Sequence, residues 1–431
     1  MSEGKRRLRG VVGLGFDVVE QVTGWTERAH ARVRARTSAL FGGLEPISSF
    51  VRVAEGMEGV AAAAAYGSVR GVNRLARAVV EGSTVLVPPQ IPAGEPWVAD
   101  VESALNGAFG DFLAERGNGL DIGFSIRHGG RPVDLENDAS VAALELGPRV
   151  VVFVHGLGVN EASWGLDLRR DVLPADSFGA RARDALGMSP VYVRYNSGRH
   201  VSENGLALSR LLGRLAEVHP AMEAIHLVGH RMGGLVARSA AHQADLEDVR
   251  PAWRGRLKSA VCIGTPHLGA PRARAAYLVS EVLRRLPAAG AEMPGEILAA
   301  PRGGVGDLQY GYVLQEDWAR GDAVFENQRL VLPRLDGVGT YYVASTHGED
   351  PKGLAGRLLG DLLVPVNSAA VADLERAVAF DAGVLLGGLD ARRLVRDEAV
   401  WEVLERFLAV APAVPEGTVV PVLDAAEGRS A

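Results

Sequence analysis

The run Arg149-Val150-Val151-Val152-Phe153-Val154 constrains the fold more than any other stretch. Five consecutive apolar residues, most of them β-branched, leave no polar side for water, so they form a strand only where both faces of a sheet are covered. A strand is also predicted over 123–127, and similar runs recur at 191–195, 224–228, 258–263, 341–344 and 383–386. Between them, apolar residues return at helical spacing over 206–217 and 232–243. Strand and helix alternate, which predicts an α/β protein with a doubly wound, mostly parallel sheet.

The chain has 431 residues, 47% of them apolar, enough for one large core and a smaller appendage. Its net charge of −6 is spread, with Arg among Asp and Glu, so no basic face exists for nucleic acid and none is expected as a partner. The single cysteine, Cys262, lies in the apolar run Ser259-Ala260-Val261-Cys262-Ile263 and reads as a small core residue.

Residues 1–87 carry apolar positions at helical spacing, among them Val11, Leu14, Val18, Val22, Val72, Leu75 and Val79. Two or three amphipathic helices are predicted there, one decorated by Arg28, Arg32, Arg34 and Arg36. A solvated face on a helix packed against the main domain explains these arginines better than contact with an anionic membrane, and the helices also offer a surface for a protein partner. Asp17 interrupts the apolar stretch after Lys5-Arg6-Arg7-Leu8-Arg9, which argues against a signal peptide and for a cytoplasmic address. Prolines from Pro88 to Pro96 break any helix, so 88–122 reads as a linker followed by a helix. The main domain is expected over 123–411. Its segment 270–337 is too long for a βα loop and is predicted to be a lid-like insertion, and 412–431 reads as a loosely held tail.

Gly229-His230-Arg231-Met232-Gly233-Gly234 follows a predicted strand and opens a predicted helix. That is the setting of the G-x-S-x-G nucleophile elbow, whose sharp turn presses the residues at plus and minus two together and leaves no room for a Cβ at Gly229 or Gly233. The apex here is Arg231, which has no nucleophilic atom. Around this motif the chain resembles the lipase and esterase branch of the α/β hydrolases. Val154-His155-Gly156-Leu157-Gly158 is similar to the family's loop after strand three, Ile263-Gly264-Thr265-Pro266-His267-Leu268-Gly269-Ala270-Pro271 to its strand-six signature, and Gly360-Asp361-Leu362-Leu363-Val364-Pro365-Val366 to the segment carrying the triad acid. Tyr195-Asn196-Ser197-Gly198-Arg199-His200 and Gly306-Asp307-Leu308-Gln309-Tyr310-Gly311 are also similar to segments of a bacterial subgroup.

The resemblance implies an α/β-hydrolase fold, an oxyanion hole from the N–H groups of Leu157 and Met232, and Asp361 as a retained triad acid. The family's final histidine falls on Ala391, within Gly388-Leu389-Asp390-Ala391-Arg392-Arg393-Leu394-Val395. Of the ten histidines none lies beyond His347, so no residue after Asp361 serves as base in the order Ser, Asp, His. Histidine to alanine needs at least two base changes, so one sequencing slip does not explain both substitutions. With the nucleophile and base positions occupied by Arg231 and Ala391, the expected protein is a non-catalytic relative that binds a lipid or acyl ligand or a protein. The alternative is an active carboxylic-ester hydrolase with rerouted chemistry, using Asp361 or His347 to activate water, or Ser163 or Ser197 as nucleophile. A purely structural partner of an active paralogue is a third possibility. Arg231 is expected to pair with Asp361, because an arginine of roughly 6–7 Å plus a hydrogen bond of about 2.8 Å spans the roughly 8–10 Å vacated by an imidazole.

His155, His230 and His267 are expected to be structural, and His347 to lie on a surface loop. His226 and His230 have H-x-x-x-H spacing, but four strand residues span roughly 13 Å, too far to share a metal. No C-x-x-C occurs, and Gly10, Gly13 and Gly15 do not make a nucleotide-binding loop. Neither metal nor cofactor is expected.

Overall fold

The computed structural model describes residues 96–128, 131–168, 172–248, 250–269, 303–319, 330, 332–345, 378, 380–389 and 394–409. The predicted N-terminal helices, residues 88–95 and the tail 412–431 lie outside them. The chain divides into two units, Met1–Ala93 with Glu115–Leu120, and Gly94–Ala114 with Asp121–Ala431. Of the first, only Glu115–Leu120 is described, a turn in which Leu120 N donates to Asn118 Oδ1 at 2.9 Å.

The second unit is built on one eight-stranded sheet: β1 (Phe124–His128), β2 (Arg131–Pro132), β3 (Arg149–Val154), β4 (Ser189–Tyr195), β5 (Ala224–His230), β6 (Leu257–Ile263), β7 (Gly339–Ser345) and β8 (Ala382–Leu386). Their order is β2-β1-β4-β3-β5-β6-β7-β8. Strands β3 to β8 pair in parallel, whereas β1 runs antiparallel to both β2 and β4.

The β3 run behaves as its composition demands. Val150, Val152 and Val154 enter one core and Val151 and Phe153 the other, because successive side chains of a strand point to opposite faces. On the first face the partners are α4 (Val201–Val218) and α5 (Met232–Leu246), through Leu208, Leu211, Leu212, Leu215, Leu235, Val236 and Ala240. On the second they are α3 (Phe178–Leu186) and the last of the described helices, α9 (Glu398–Ala409), through Phe178, Ala182, Trp401, Leu404, Phe407 and Leu408. Each of the buried leucines, valines and phenylalanines among them contributes roughly 1.5–3 kcal/mol of hydrophobic burial. Ser177 caps α3 by accepting from Ala180 N, and Gly187, at φ 63°, ends it in the left-handed conformation that favours glycine.

Among the described residues the remaining helices are short except for α1 (Pro96–Glu115), which is kinked at Phe109 and starts on a proline, where a missing N–H is harmless. They are α2 (Asp138–Ala142), α6 (Ala252–Arg256), α7 (Gly303–Tyr310) and α8 (Gln315–Ala319). The helix predicted over 206–217 begins earlier, at Val201, since its first turn is polar and anchored by hydrogen bonds, such as Asn204 Nδ2 to Asn196 O at 3.0 Å. Of the predicted insertion 270–337, only 303–319, 330 and 332–337 are described, and there Leu308, Val313, Leu314, Leu332 and Leu335 are buried in the core shared with α4 and α5. Among the described residues no helix is long and apolar enough to cross a membrane.

Candidate functional site

The helix after β3 packs on one face of the sheet and the helix after the adjacent β5 on the other. Such a reversal opens a crevice at the carboxyl ends of the two strands, where ligands of doubly wound sheets bind. Two loops meet there, His155–Gly158 after β3 and the turn from β5 into α5.

Arg231 forms the apex of that turn at φ 53°, ψ −116°, a strained conformation for a residue with a Cβ. Its N–H donates to Ile263 O at 2.8 Å and its carbonyl accepts from Gly234 N at 3.1 Å, so β6 and α5 hold it from both sides. A Cβ on Gly229 would strike the backbone of Gly233 and Gly234, and one on Gly233 would strike the carbonyl oxygens of Val154 and His155, the latter at 2.6 Å. The glycines thus stand where two backbones cross. Beside them, a Cβ on Gly156 would lie 3.4 Å from Arg231 Cβ and 3.8 Å from its Cδ, so the stem of the arginine runs along the glycine of the facing loop. Of the two expected oxyanion-hole residues, Leu157 lies in the loop after β3 and Met232 is the first residue of α5.

The loop after β3 is held on three sides. His155 is fully buried; its Nδ1–H donates to Gly156 O at 2.8 Å, while Nε2 accepts from Tyr195 N at 3.3 Å. Burial lowers its pKa to about 4, despite the opposing hydrogen bond to Gly156. Both nitrogens are committed and the ring is neutral, so His155 is a strut. Gly158 N donates to Ser197 Oγ at 2.9 Å. Beyond it, a 3₁₀ turn, Glu161–Trp164, is tied to β4 by the bidentate pair of Glu161 with Arg194, whose Nε–Oε2 distance is 2.7 Å. Helix α1 closes the third side: a Cβ on Gly107 would collide with Gly158, Gly110 abuts Asn196 and Gly198, and Asp100 accepts from Asn160 Nδ2 at 2.9 Å. This buttress was not foreseen from sequence, although the two glycines three apart in a helix were its available signal.

The other candidates each have partners of their own. Ser197 Oγ accepts from Gly158 N, and Ser163 Oγ donates to Asn160 O at 2.7 Å, so each hydroxyl serves the backbone. His226 bonds Ser259 Oγ at 2.8 Å, and burial lowers its pKa to about 4. His230 sits edge-on to Trp164 with ring centroids 6.0 Å apart, and His267 Nδ1 accepts from Arg238 Nη1 at 3.1 Å. Cys262 is buried and its thiol pushed up to about 12 by desolvation. Asp361, Ala391 and His347 lie outside the described residues, and with them the predicted pairing of Arg231 with Asp361. Among the described residues no group of three or more His, Cys, Asp or Glu is placed to hold a metal ion.

The sheet order and the strand–turn–helix elbow with its crossing glycines are those of an α/β-hydrolase fold. Residues 198–287 match the sequence profile of the PGAP1-like alpha/beta domain, an α/β-hydrolase family. No curated protein matches the sequence. Similar solved structures include mature lipase BlEst2 of Bacillus licheniformis, 17% identical with a TM-score of 0.41, covering 61% of this chain and 93% of that one. Another is the lin2722 product of Listeria innocua, 14% identical, TM-score 0.35, covering 61% and 94%. A third is a malate-bound esterase of Thermogutta terrifontis, 16% identical, TM-score 0.34, covering 61% and 90%.

Proposed function

We propose that this protein is a non-catalytic α/β hydrolase that binds a lipid or acyl ligand in the crevice between the β3 loop and the β5–α5 turn. One observation carries the reading: an arginine, which offers no nucleophile, stands at the strained apex of an elbow that is otherwise intact. The Leu157 and Met232 N–H groups suit a carbonyl or carboxylate oxygen of such a ligand, and the guanidinium adds a cation beside them. On this reading Asp361 remains as the triad acid and pairs with Arg231, and Ala391 leaves room for that side chain. On the same reading residues 1–87, where the sequence predicts amphipathic helices, offer a surface for a protein partner.

The test is to incubate the purified chain with short and long acyl esters and with a fluorophosphonate probe. Neither turnover nor covalent labelling above background is expected; either one overturns the reading in favour of an ester hydrolase with rerouted residues. Arg231→Ser alone should stay at background, because a serine without a base attacks slowly, whereas Arg231→Ser with Ala391→His should give detectable hydrolysis. Equal activity of the two variants would place the base elsewhere.

A further inference from the structure

The two segments similar to a bacterial subgroup, 195–200 and 306–311, meet at one point. His200, the N-cap of α4, places Nδ1 3.1 Å from both carboxylate oxygens of Asp307 on α7. Asp307 is 1% exposed, and its Oδ2 also accepts from Val201 N at 2.7 Å. On the imidazole face lies the indole of Trp318 on α8, with centroids 3.8 Å apart and planes 7° from parallel. Trp318 Nε1 in turn donates to Ser202 Oγ at 3.0 Å. The His200 side chain keeps 24% of its exposure, so protons reach it.

We propose that His200, Asp307 and Trp318 form a proton-operated clasp that holds residues 303–319 against α4 while the imidazole is charged and loosens when it is neutral. The charged ring donates a charge-assisted hydrogen bond to the buried carboxylate and lies as a cation on the indole. Losing the proton weakens both contacts and leaves Asp307 as a buried anion without its counter-charge, which is unfavourable. The clasped segment matters to the site because it is one of its walls. Gly304 N donates to Gly198 O at 2.8 Å, and a Cβ on Gly304 would meet Met232 Cε at 2.6 Å. Gly269 of the loop after β6 abuts the far end of α7 at Gln309 and Tyr310.

The charges facing the ring come from every packed element. Asp307 is on α7, Glu203 on α4 and Asp111 on α1; Asp317 on α8 acts on Asp307, and Arg199 is occupied by Glu203 at 3.3 Å. Burial alone would lower the His200 pKa, but the hydrogen bond and charge of Asp307, with Glu203 and Asp111 beyond, outweigh it and raise it. Burial raises Asp307, against the pull of His200 and Val201 N–H. A histidine raised in the closed state stabilises that state fully below the ordinary value of 6.5, and the contribution is lost as pH rises through the raised value.

Hydrogen exchange of the full chain, followed by mass spectrometry between about pH 5.5 and about pH 9 and corrected for intrinsic exchange rates, reads the clasp directly. Peptides within 303–319 should lose protection on the alkaline side, with a midpoint above 6.5. His200→Gln should exchange at the faster, alkaline level throughout. Protection of 303–319 that is flat in the wild type, or a pH dependence that survives in His200→Gln, would overturn the clasp. Trp318→Phe, which leaves the ion pair in place, should shift the midpoint down, and an unmoved midpoint removes the indole from the device. Because none of these readouts involves ester turnover or ligand, the clasp stands or falls separately from the proposed function.

Discussion

Among the described residues only Glu145 and Arg231 combine a side chain with positive φ, and Arg231 does so where two loops converge. The cost of that backbone is roughly 1–3 kcal/mol, which only a well-packed surround sustains. Here the surround is the hydrogen bond from Arg231 N to Ile263 O and the crossing of Gly233 under the Val154 and His155 carbonyls. Comparing Arg231→Gly with Arg231→Ala isolates the strain, since both remove the guanidinium and differ in the Cβ alone. The glycine variant should be more stable by about 1 kcal/mol, the reverse of the usual order within regular structure. Urea-unfolding midpoints check this, and an alanine variant at least as stable would show that the turn is relaxed.

At the scale of elements, the loop carrying Leu157 is positioned by the buried pair of Arg194 on β4 and Glu161 in the 3₁₀ turn, whose side chains are 7% and 1% exposed. Breaking such a pair strands the remaining charge, so Glu161→Ala should cost roughly 3–5 kcal/mol. Replacing both by methionine, Glu161→Met with Arg194→Met, should cost much less, because no charge stays buried. Equilibrium unfolding of the two variants decides it; a double variant as unstable as the single one would mean that packing geometry, not charge, holds the turn.

At the scale of the whole molecule, His155, His226 and His242 among the described residues couple stability to acid pH. Burial lowers His155 and His226 to about 4 and His242 to about 3, the last helped by Arg238 and Arg254. A group depressed in the folded state contributes stability above its unfolded value, near 6.5, and that contribution is lost as pH falls through the folded values. Unfolding midpoints in urea should therefore decline steadily from pH 6.5 toward 4, and a flat profile over that window would contradict the buried, neutral assignment. The clasp at His200 runs the other way, loosening one wall on the alkaline side. Local pattern settled much of this molecule: the continuous run of β3 demanded a sheet covered on both faces, and Gly229 and Gly233 announced a crossing of backbones at the elbow. Those features depend on residues close in sequence, where period and steric room are the whole argument. The docking of α1 through Gly107 and Gly110, the packing of Leu308, Val313 and Leu314 into the core, and the meeting of His200 with Asp307, 107 residues apart, came only from the tertiary structure. A single sequence carries no distance between segments so far apart; the energy that joins them is released only when the sheet has placed both at its carboxyl edge.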